Sequence, residues 1–308
     1  MTGNRSKNRC PLCGGETFST VPMGLLSCAG CGLVVSPAIW EPQANESLEE
    51  EWFGEGYEPV SSFWVRGFEA WNNRRTMARL AGRNIPGRRL LEIGIGSGSF
   101  LRMARCQGFD VMGCDLSPAI ARRVSGELGI EMHCGPLSGL AGEARFDVIV
   151  MNHVLEHVAD PFVLLDAVSR LLAPGGIVHV AVPNVDCWEA RLFGWTSYEP
   201  YHLLYFTPAT LRNALAKADF SLEAALTHES FSGWFLALLR TALGVNRGGI
   251  GAARGSQAGG LGRAGLVEHA YRLAMLAAGV VSWPVRWLQS TLSRGDEAIA
   301  IARKPGHG

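Results

Sequence analysis

Apolar and polar positions alternate along the chain in blocks that predict a repeated strand–helix order. The stretch RRLLEIGIGSGSF begins as a short apolar strand, passes through a glycine-rich turn and ends where a helix can begin. DVMGCDLS and RFDVIVMN predict two further strands, and the second has the continuous apolar centre of a strand buried on both faces. Repeated units of this kind predict a mainly parallel, doubly wound α/β sheet.

Helical spacing fills the gaps between these strands. SSFWVRGFEAWNNRRTMARLAGR predicts a first helix, with Gly82 near its end. DPFVLLDAVSRLLAPGG predicts another, because Asp160 is a good N-cap, Pro161 suits the first turn and a Pro-Gly-Gly sequence stops it. We expect a core over residues 62–230, with DEAIAIARKP in residues 296–308 as its closing strand.

Two segments interrupt this pattern. Residues 39–61 form a linker with seven glutamates and no basic residue between Glu41 and Glu58. Residues 231–295 form an insert with seven arginines and one glutamate, a glycine-rich centre and apolar, tryptophan-containing helical flanks. Such flanks suit a membrane interface, so peripheral membrane contact is one expectation. Packing on the core or on a second subunit, as a homodimer, is the alternative.

Composition narrows the class of protein. The 308 residues are 47% hydrophobic and 18% charged with zero formal net charge, so a large core is possible and no overall field favours nucleic acid. The first residues lack the apolar centre of a signal peptide. The longest apolar run near the C-terminus, Leu273 to Val285, is thirteen residues, against about 20 needed to span a bilayer. We therefore expect a cytoplasmic protein with reduced cysteines. Peripheral contact with the inner face of the membrane is a further expectation from the insert.

Four N-terminal cysteines have the spacing of a metal site. Cys10, Cys13, Cys28 and Cys31 form a C-x2-C-x14-C-x2-C pattern, in which each short turn directs two thiolates to one point. Few apolar residues lie between the two pairs, so a metal would supply much of the folding free energy. We expect residues 1–38 to be a zinc ribbon with a structural Zn²⁺, and disulfides or reduced structural thiols are the alternatives.

Three loops fall at the carboxyl edge of the predicted sheet, where ligands of such folds bind. The first is a glutamate followed by alternating glycines: Glu92, Gly94, Gly96 and Gly98. The second carries Asp115, an acid able to accept both hydroxyls of a ribose, and the third is NHVLEHV, directly after the fourth strand. Ser99 occupies the third glycine position of a dinucleotide fingerprint, so the glycine loop alone does not select that cofactor.

Taken together, LLEIGIGSG, GCDLSP, FDVIVMNHVLEHVADP and LLAPGGIVHVAVPN resemble the successive motifs of class I S-adenosylmethionine-dependent methyltransferases. The resemblance covers residues 88–230 and the closing strand, and it implies a seven-stranded Rossmann-like sheet. It also implies that the glycine loop holds the amino-acid half of the cofactor, the strand-two acid holds the ribose and the strand-four loop faces the methyl group. The implied residues for binding S-adenosyl-L-methionine are Glu92, Gly94, Gly96, Gly98, Asp115, Leu116, Asn152 and His153.

The strand-four loop also contains an H-x-x-E-H sequence, formed by His153, Glu156 and His157. A zinc-protease reading fails, because that signature needs both histidines within a helix and this stretch follows a strand. Some ubiquinone-pathway and small-RNA-end methyltransferases carry E-x-x-E-H here with a later histidine and bind a divalent ion. The resemblance implies a similar site with His202, and local pairing of Glu156 with His157 is the alternative.

Catalysis by a general base needs a group with a pKa near neutrality within reach of the acceptor proton. His202 is the first candidate, followed by His157 and His153; a purely structural hydrogen bond is the alternative for His202. The surrounding FGWTSYEPYHLLYFTPATL is rich in aromatic residues that can stack on a ring. It resembles a stretch of methyltransferases found with surface-polysaccharide genes.

The predicted function is S-adenosylmethionine-dependent methyl transfer to a small or carrier-linked acceptor, at a sugar or isoprenoid-type hydroxyl. The expected partner is a small-molecule or lipid-linked acceptor. A zinc-ribbon RNA methyltransferase is the first alternative, although the acidic linker disfavours nucleic acid. A non-enzymatic cofactor-binding protein is the second alternative.

Overall fold

The computed structural model of the protein describes residues 8–41, 63–140, 146–229, 233–244 and 276–306. Within these residues the chain forms one large sheet with helices on both faces and a small antiparallel sheet beside it. The predicted acidic linker lies almost entirely outside the described residues, as does the glycine-rich centre of the insert over residues 245–275.

The small sheet contains β1 (Phe18–Thr20), β2 (Leu26–Cys28), β3 (Val34–Val35) and β9 (Leu204–Tyr205). The large sheet contains β4 (Arg89–Ile93), β5 (Asp110–Asp115), β6 (Glu131–Cys134), β7 (Phe146–Asn152), β8 (Leu172–Pro183), β10 (Ser221–His228) and β11 (Glu297–Arg303). The described helices are α1 (Phe63–Ala81), α2 (Ser99–Cys106), α3 (Pro118–Leu128), α4 (Pro161–Leu171), α5 (Pro208–Lys217), α6 (Gly233–Ala242) and α7 (Trp283–Thr291).

The large sheet confirms the predicted doubly wound architecture. Its strand order is β10-β11-β8-β7-β4-β5-β6, and only β11 runs antiparallel to its neighbours. The carboxyl ends of the six other strands therefore meet at one edge, together with the start of β11. Asp160 is the N-cap of α4, as predicted: its side chain accepts hydrogen bonds from the backbone amides of Phe162 and Val163.

The core lies in two layers, one on each face of the sheet. In β7, Val148 and Val150 belong to one layer, and Ile149 and Met151 belong to the other. All four are fully buried, and each such side chain contributes roughly 1.5–3 kcal/mol of hydrophobic free energy. Burial on both faces explains why this strand is continuously apolar and why its tip is held firmly at the edge of the sheet.

The cysteine-rich N-terminal segment is attached to the core by strand pairing that the sequence did not predict. Strand β3 pairs antiparallel with β9, so that Val34 lies opposite Tyr205 and Val35 lies opposite Leu204. The Lys217 amino group also donates to the Leu12 carbonyl oxygen at 2.7 Å. These contacts place the segment beside the loop that contains His202.

The described part of the insert packs on the end of β10. Thr227 Oγ1 donates to the Ser290 carbonyl oxygen at 3.0 Å, and Ser290 Oγ donates to the Thr227 carbonyl oxygen at 2.7 Å. Residues 276–281 are helical and lead into α7. Across the described residues, every helix is too short or too polar to cross a membrane.

Candidate active site

The glycine turn after β4 requires glycine for conformational and steric reasons. Gly94, Gly96 and Gly98 all have positive φ, at 72°, 53° and 75°. A Cβ atom on Gly94 would lie 2.6 Å from Cγ2 of Val154, in the loop after β7. Because glycine alone adopts this backbone conformation at little cost, the turn can direct its amide groups towards a ligand while its other side packs closely against the loop after β7.

The structure places Asp115 directly against the glycine turn. Its Oδ2 accepts a hydrogen bond from the Ile95 amide at 2.9 Å, and its Oδ1 accepts one from the Ser117 amide at 2.9 Å. Each carboxylate oxygen has a second lone pair that can accept a ligand hydroxyl. The neighbouring Leu116 is exposed at the rim.

A cleft of about 240 Å³ opens in front of the turn. The predicted cofactor residues that line it are Glu92, Gly94, Gly96, Asn152 and His153. Gly98, Asp115 and Leu116 flank the cleft and are absent from its described lining. The tips of β4 and β7 therefore form its two sides, as expected for neighbouring parallel strands.

Sequence reasoning missed the polar face of α1, which closes the cleft. This face consists of Glu69, Asn72, Asn73, Thr76 and Arg79. Oε2 of Glu69 accepts hydrogen bonds from Ser97 Oγ at 2.8 Å and from Ser99 Oγ at 3.2 Å. The signal was present, because these positions repeat at intervals of three and four, but the prediction used only the apolar positions of this helix.

Glu92 is a buried acid at the base of the cleft. It is 4% exposed, and its Oε2 has no hydrogen-bond partner among the described residues. Burial raises the pKa of its carboxyl group well above the usual range, and the negative charge of Asp115 raises it further. A ligand that donates a hydrogen bond or carries a positive charge would satisfy this oxygen.

His153 lines the cleft but is held between two carboxylates. Its Nδ1 lies 3.1 Å from Glu156 Oε1, and its Nε2 lies 3.0 Å from Glu297 Oε1. Partial loss of hydration at this half-exposed side chain opposes protonation, yet the hydrogen bonds to Glu156 and Glu297 raise the pKa of His153 well above its usual value. An imidazolium with both nitrogens donating is neither a base nor a metal ligand, so the geometry disfavours those two predicted roles for His153.

Glu156, His157 and His202 form a compact cluster of metal-ligating groups. One ligand atom from each lies within 4.8 Å of the others. Nδ1 of His202 lies 2.9 Å from the Ser197 carbonyl oxygen, and Nδ1 of His157 lies 3.2 Å from the Tyr201 carbonyl oxygen. A carbonyl oxygen only accepts, so Nδ1 is the donor in each contact, and Nε2 is the ring nitrogen left to face an ion. Burial also lowers the pKa of His202 to about 4, which keeps it neutral.

This cluster stands behind the cleft, and its histidines are not part of the described lining. The rings of His157 and His202 are 4.9 Å apart, and both pack against Tyr201. Glu156 connects the cluster to the cleft through its contact with His153. The arrangement therefore favours a ligand role for His157 and His202 over the predicted role of general base.

The four N-terminal thiols fit a tetrahedral ion. Cys10 Sγ lies 3.5 Å from Cys31 Sγ, and Cys13 Sγ lies 3.4 Å from Cys28 Sγ. All four sulfur atoms are within 4.8 Å of one another. Four Zn–S bonds of about 2.3 Å place sulfur atoms about 3.8 Å apart, close to this arrangement. The Gly15 amide also donates to Cys13 Sγ at 3.4 Å, as is usual around such ions.

Comparison with known proteins identifies the core. The profile of the family described as "Methyltransferase domain" matches residues 66–225, which is more than half of the chain. A relative from Nitrobacter winogradskyi, named "Ubiquinone biosynthesis O-methyltransferase", is 31% identical over 120 residues, covering 37% of this chain and 46% of the relative. A relative of the same name from Cereibacter sphaeroides is 38% identical over 105 residues, covering 32% and 42%. The chain thus spans less than half the length of these curated relatives.

Two solved structures share the fold. A SAM-dependent methyltransferase from Archaeoglobus fulgidus has a TM-score of 0.51 at 18% identity, with 84% of this chain and 99% of that chain covered. A putative sarcosine dimethylglycine methyltransferase from Galdieria sulphuraria has a TM-score of 0.53 at 13% identity, with 85% and 98% covered. At these identities the likeness concerns the fold alone.

Proposed function

This chain belongs to the methyltransferase domain family and is an S-adenosylmethionine-dependent methyltransferase, and from that premise we propose that it methylates a hydroxyl oxygen of a small or carrier-linked acceptor. The acceptor is a sugar or isoprenoid-type compound. The observation that carries this proposal is the convergence of the glycine turn, Asp115 and the β7 tip around one cleft. The names of the curated relatives support oxygen as the methylated atom.

The residues around the cleft match the groups of the cofactor, which supplies a methyl group on a positively charged sulfonium. Glu92 and Glu69 would accept from its ammonium group, because Glu92 Oε2 has no hydrogen-bond partner among the described residues. Asp115 would accept from the ribose hydroxyls, and the open backbone at Gly94 and Gly96 would permit close approach.

A divalent ion is proposed at Glu156, His157 and His202. A carboxylate with two imidazoles is a typical ligand set for Zn²⁺ and similar ions. A bound ion would fix the loop after β7, and with it Asn152 and His153 at the side of the cleft. Its role here is therefore to position the loop that faces the methyl group.

A second, structural Zn²⁺ is proposed at Cys10, Cys13, Cys28 and Cys31. With four thiolate ligands the ion would have no open position for a substrate, so it would stabilise the ribbon. Because β3 pairs with β9, the ribbon would also support the loop that carries His202.

Membrane proximity of the acceptor is proposed from the exposed apolar side chains around α7: Val280, Val281, Val285, Leu288 and Leu292. Such side chains suit the boundary between lipid head groups and acyl chains. Flotation of the full chain with anionic liposomes would support this, whereas a concentration-dependent dimer with no flotation would assign the same surface to a second copy.

The function is tested by incubating the zinc-loaded protein with methyl-labelled cofactor and fractionated cell extract. We expect label in a small-molecule or lipid fraction, linked through an ether that resists mild base. Label in RNA would instead support the alternative activity, and no cofactor binding by calorimetry would contradict the proposed function. Removal of metal with a chelator and re-addition of Zn²⁺, Mg²⁺ or Mn²⁺ tests the ion after β7.

A further inference from the structure

A second cavity, of about 590 Å³, lies beside the cofactor cleft. Its described lining is largely apolar and includes Phe68, Trp71, Leu276, Trp283 and Trp287. Cavities of this size with apolar walls and a few polar groups are typical sites for small organic ligands. Trp283 and Trp287 are 61% and 59% exposed, so the cavity is open at α7.

Helix α1 forms a common wall between the cavity and the cleft. Glu69 and Asn73 face the cleft, whereas Phe68, Trp71 and Arg75 face the cavity. Residues one or two positions apart on a helix point in different directions, which explains how one helix supplies a polar face and an apolar face. The cavity is therefore adjacent to the site proposed for the cofactor.

His228, at the end of β10, lines both spaces. It is 5% exposed, and its Nε2 has no hydrogen-bond partner among the described residues. Its ring centroid lies 5.2 Å from that of Trp71. A buried polar atom without a partner costs about 1–3 kcal/mol, so a ligand hydroxyl placed at Nε2 would recover that free energy.

The position of His228 is fixed by its surroundings. A Cβ atom on Gly295 would lie 2.5 Å from the His228 carbonyl oxygen, so glycine permits the two backbones to pack closely. The hydrogen bonds between Thr227 and Ser290 attach the adjacent residue to α7. The packing of β10 against α7 consequently holds the His228 imidazole and the tryptophans of α7 next to one another.

We propose that this cavity binds the apolar, aromatic body of the methyl acceptor and that His228 Nε2 accepts the proton of its hydroxyl group. The inference rests on the proposed methyl transfer to a hydroxyl oxygen, and it replaces the sugar or isoprenoid-type acceptor with an aromatic one. Three tryptophans provide flat apolar walls, and most of the lining surface is apolar, although Arg75, His228, Glu229, Arg286 and Ser290 also contribute to it. A sugar would leave much of that apolar surface without a matching partner. The aromatic acceptor is therefore favoured over a sugar.

The methyl group leaves the sulfonium in a single displacement. The acceptor oxygen forms a bond to the methyl carbon, the carbon–sulfur bond breaks with its electron pair left on sulfur, and the hydroxyl proton passes to His228. Burial lowers the pKa of His228 to about 4, so its imidazole is neutral at pH 7 and its lone pair is present. The oxygen becomes strongly acidic as it gains the methyl group, so a weak base is sufficient.

Binding of 2-naphthol and naphthalene tests this site in the full chain saturated with S-adenosylhomocysteine. These probes differ only in one hydroxyl group. We expect 2-naphthol to bind about fivefold more tightly by calorimetry, as one neutral hydrogen bond allows. Trp283→Ala and Trp287→Ala should weaken both probes about tenfold, whereas Leu288→Ala, which alters α7 outside the cavity lining, should leave both unchanged.

Substitution of His228 separates the hydrogen bond from the apolar contacts. His228→Phe should keep naphthalene binding and abolish the preference for 2-naphthol. His228→Gln should retain part of the preference, because its amide oxygen can accept, but should lose methyl transfer to the labelled fraction. An equal preference for 2-naphthol in His228→Phe would overturn the role of His228.

Different results would overturn the acceptor cavity and the methyltransferase activity. Probe affinities unaffected by both tryptophan substitutions, in a protein that still binds cofactor and labels an acceptor, would overturn the cavity alone. Absence of cofactor binding in the unaltered protein would overturn the proposed function.

Discussion

Two halves of the proposed site can be compared at the carboxyl edge of the sheet: a proposed cofactor half at the ends of β4 and β5, and a proposed acceptor half formed by β7, β10 and the adjacent α7. In the cofactor half, the key contact joins Asp115 to Ile95, 20 residues apart. In the acceptor half, His153 contacts Glu297 across 144 residues, and Gln289 contacts Glu189 across 100. The cofactor half is thus built by local turns, whereas the acceptor half exists only after distant segments have packed.

The two halves also differ in the burial and the hydrogen-bond partners of their acidic side chains. Asp115 receives two backbone hydrogen bonds and lies at the rim. In the acceptor half, Glu189 and Glu229 are buried close to each other, and burial raises the pKa of both, helped for Glu229 by the charges of Asp296 and Glu189. We infer that the cofactor half selects its ligand by fixed polar groups, and the acceptor half by apolar shape.

The largest expected effect is that of Gly94→Ala, where the two halves touch. A side chain in the left-handed region costs about 1–2 kcal/mol, and overlap with Val154 adds a packing cost of about 1–3 kcal/mol. We expect cofactor affinity to fall about 100-fold by calorimetry. Gly126→Ala in α3 is the matched control, because a Cβ there meets no atom within 4 Å, and it should leave affinity unchanged.

Asp115→Asn should affect the cofactor half alone. Loss of hydrogen bonds to a charged group costs about 1.5–3 kcal/mol, so cofactor affinity should fall about 10- to 150-fold. Binding of 2-naphthol should stay within twofold, and Asp110→Asn at the exposed start of β5 should change neither. A parallel loss of 2-naphthol binding would show that the halves are not separable.

Glu156→Gln should affect the acceptor half with little change in cofactor affinity. The neutral amide is a weaker ligand and leaves His153 with Glu297 as its remaining carboxylate contact. We expect loss of the bound divalent ion by elemental analysis and a roughly tenfold fall in kcat, typical of losing one charge-assisted contact. Glu131→Gln on exposed β6 is the control, and unchanged metal content in Glu156→Gln would contradict the proposed ion site.

The smallest expected effects concern stability against pH. Burial raises the pKa of Glu229 above 4.5 in the folded state, so the folded protein loses stability as the pH rises above that value. Because glutamine does not ionise, Glu229→Gln should raise Tm at pH 8 by a few degrees.

Glu223, on exposed β10, should show the opposite dependence of stability on pH. Burial opposes its ionisation, but hydrogen bonds from Arg303 and Arg83 lower its pKa below 4.5, so its stabilisation is lost on acidification. Glu223→Gln should therefore lower Tm slightly at pH 8, and by less at pH 4. Equal shifts of the two variants at pH 8 would contradict this assignment.

The difference between the halves also decides what could be predicted from sequence. The strand–helix order, the closing strand and the turn at Gly94 follow from periodicity and from backbone needs that act within a few residues. The sequence predicted His202 near His157 and Glu156, and the structure brings the three together. Its role as a base stays a prediction, because its burial is a tertiary property that no sequence pattern reveals. His228 carried no local signal, because nothing near it in the chain marks it as part of a site.

By itself, the sequence determined the sheet architecture, the glycine turn with its nearby acid, and the paired cysteines. Each of these features follows from the spacing of residues that are close together in the chain. Only the tertiary structure decided that β9 joins the ribbon to the core, that α1 presents a polar face to the cleft and that His228 lies between two cavities. Those features depend on which surfaces bury one another, and burial is a property of the packed chain as a whole.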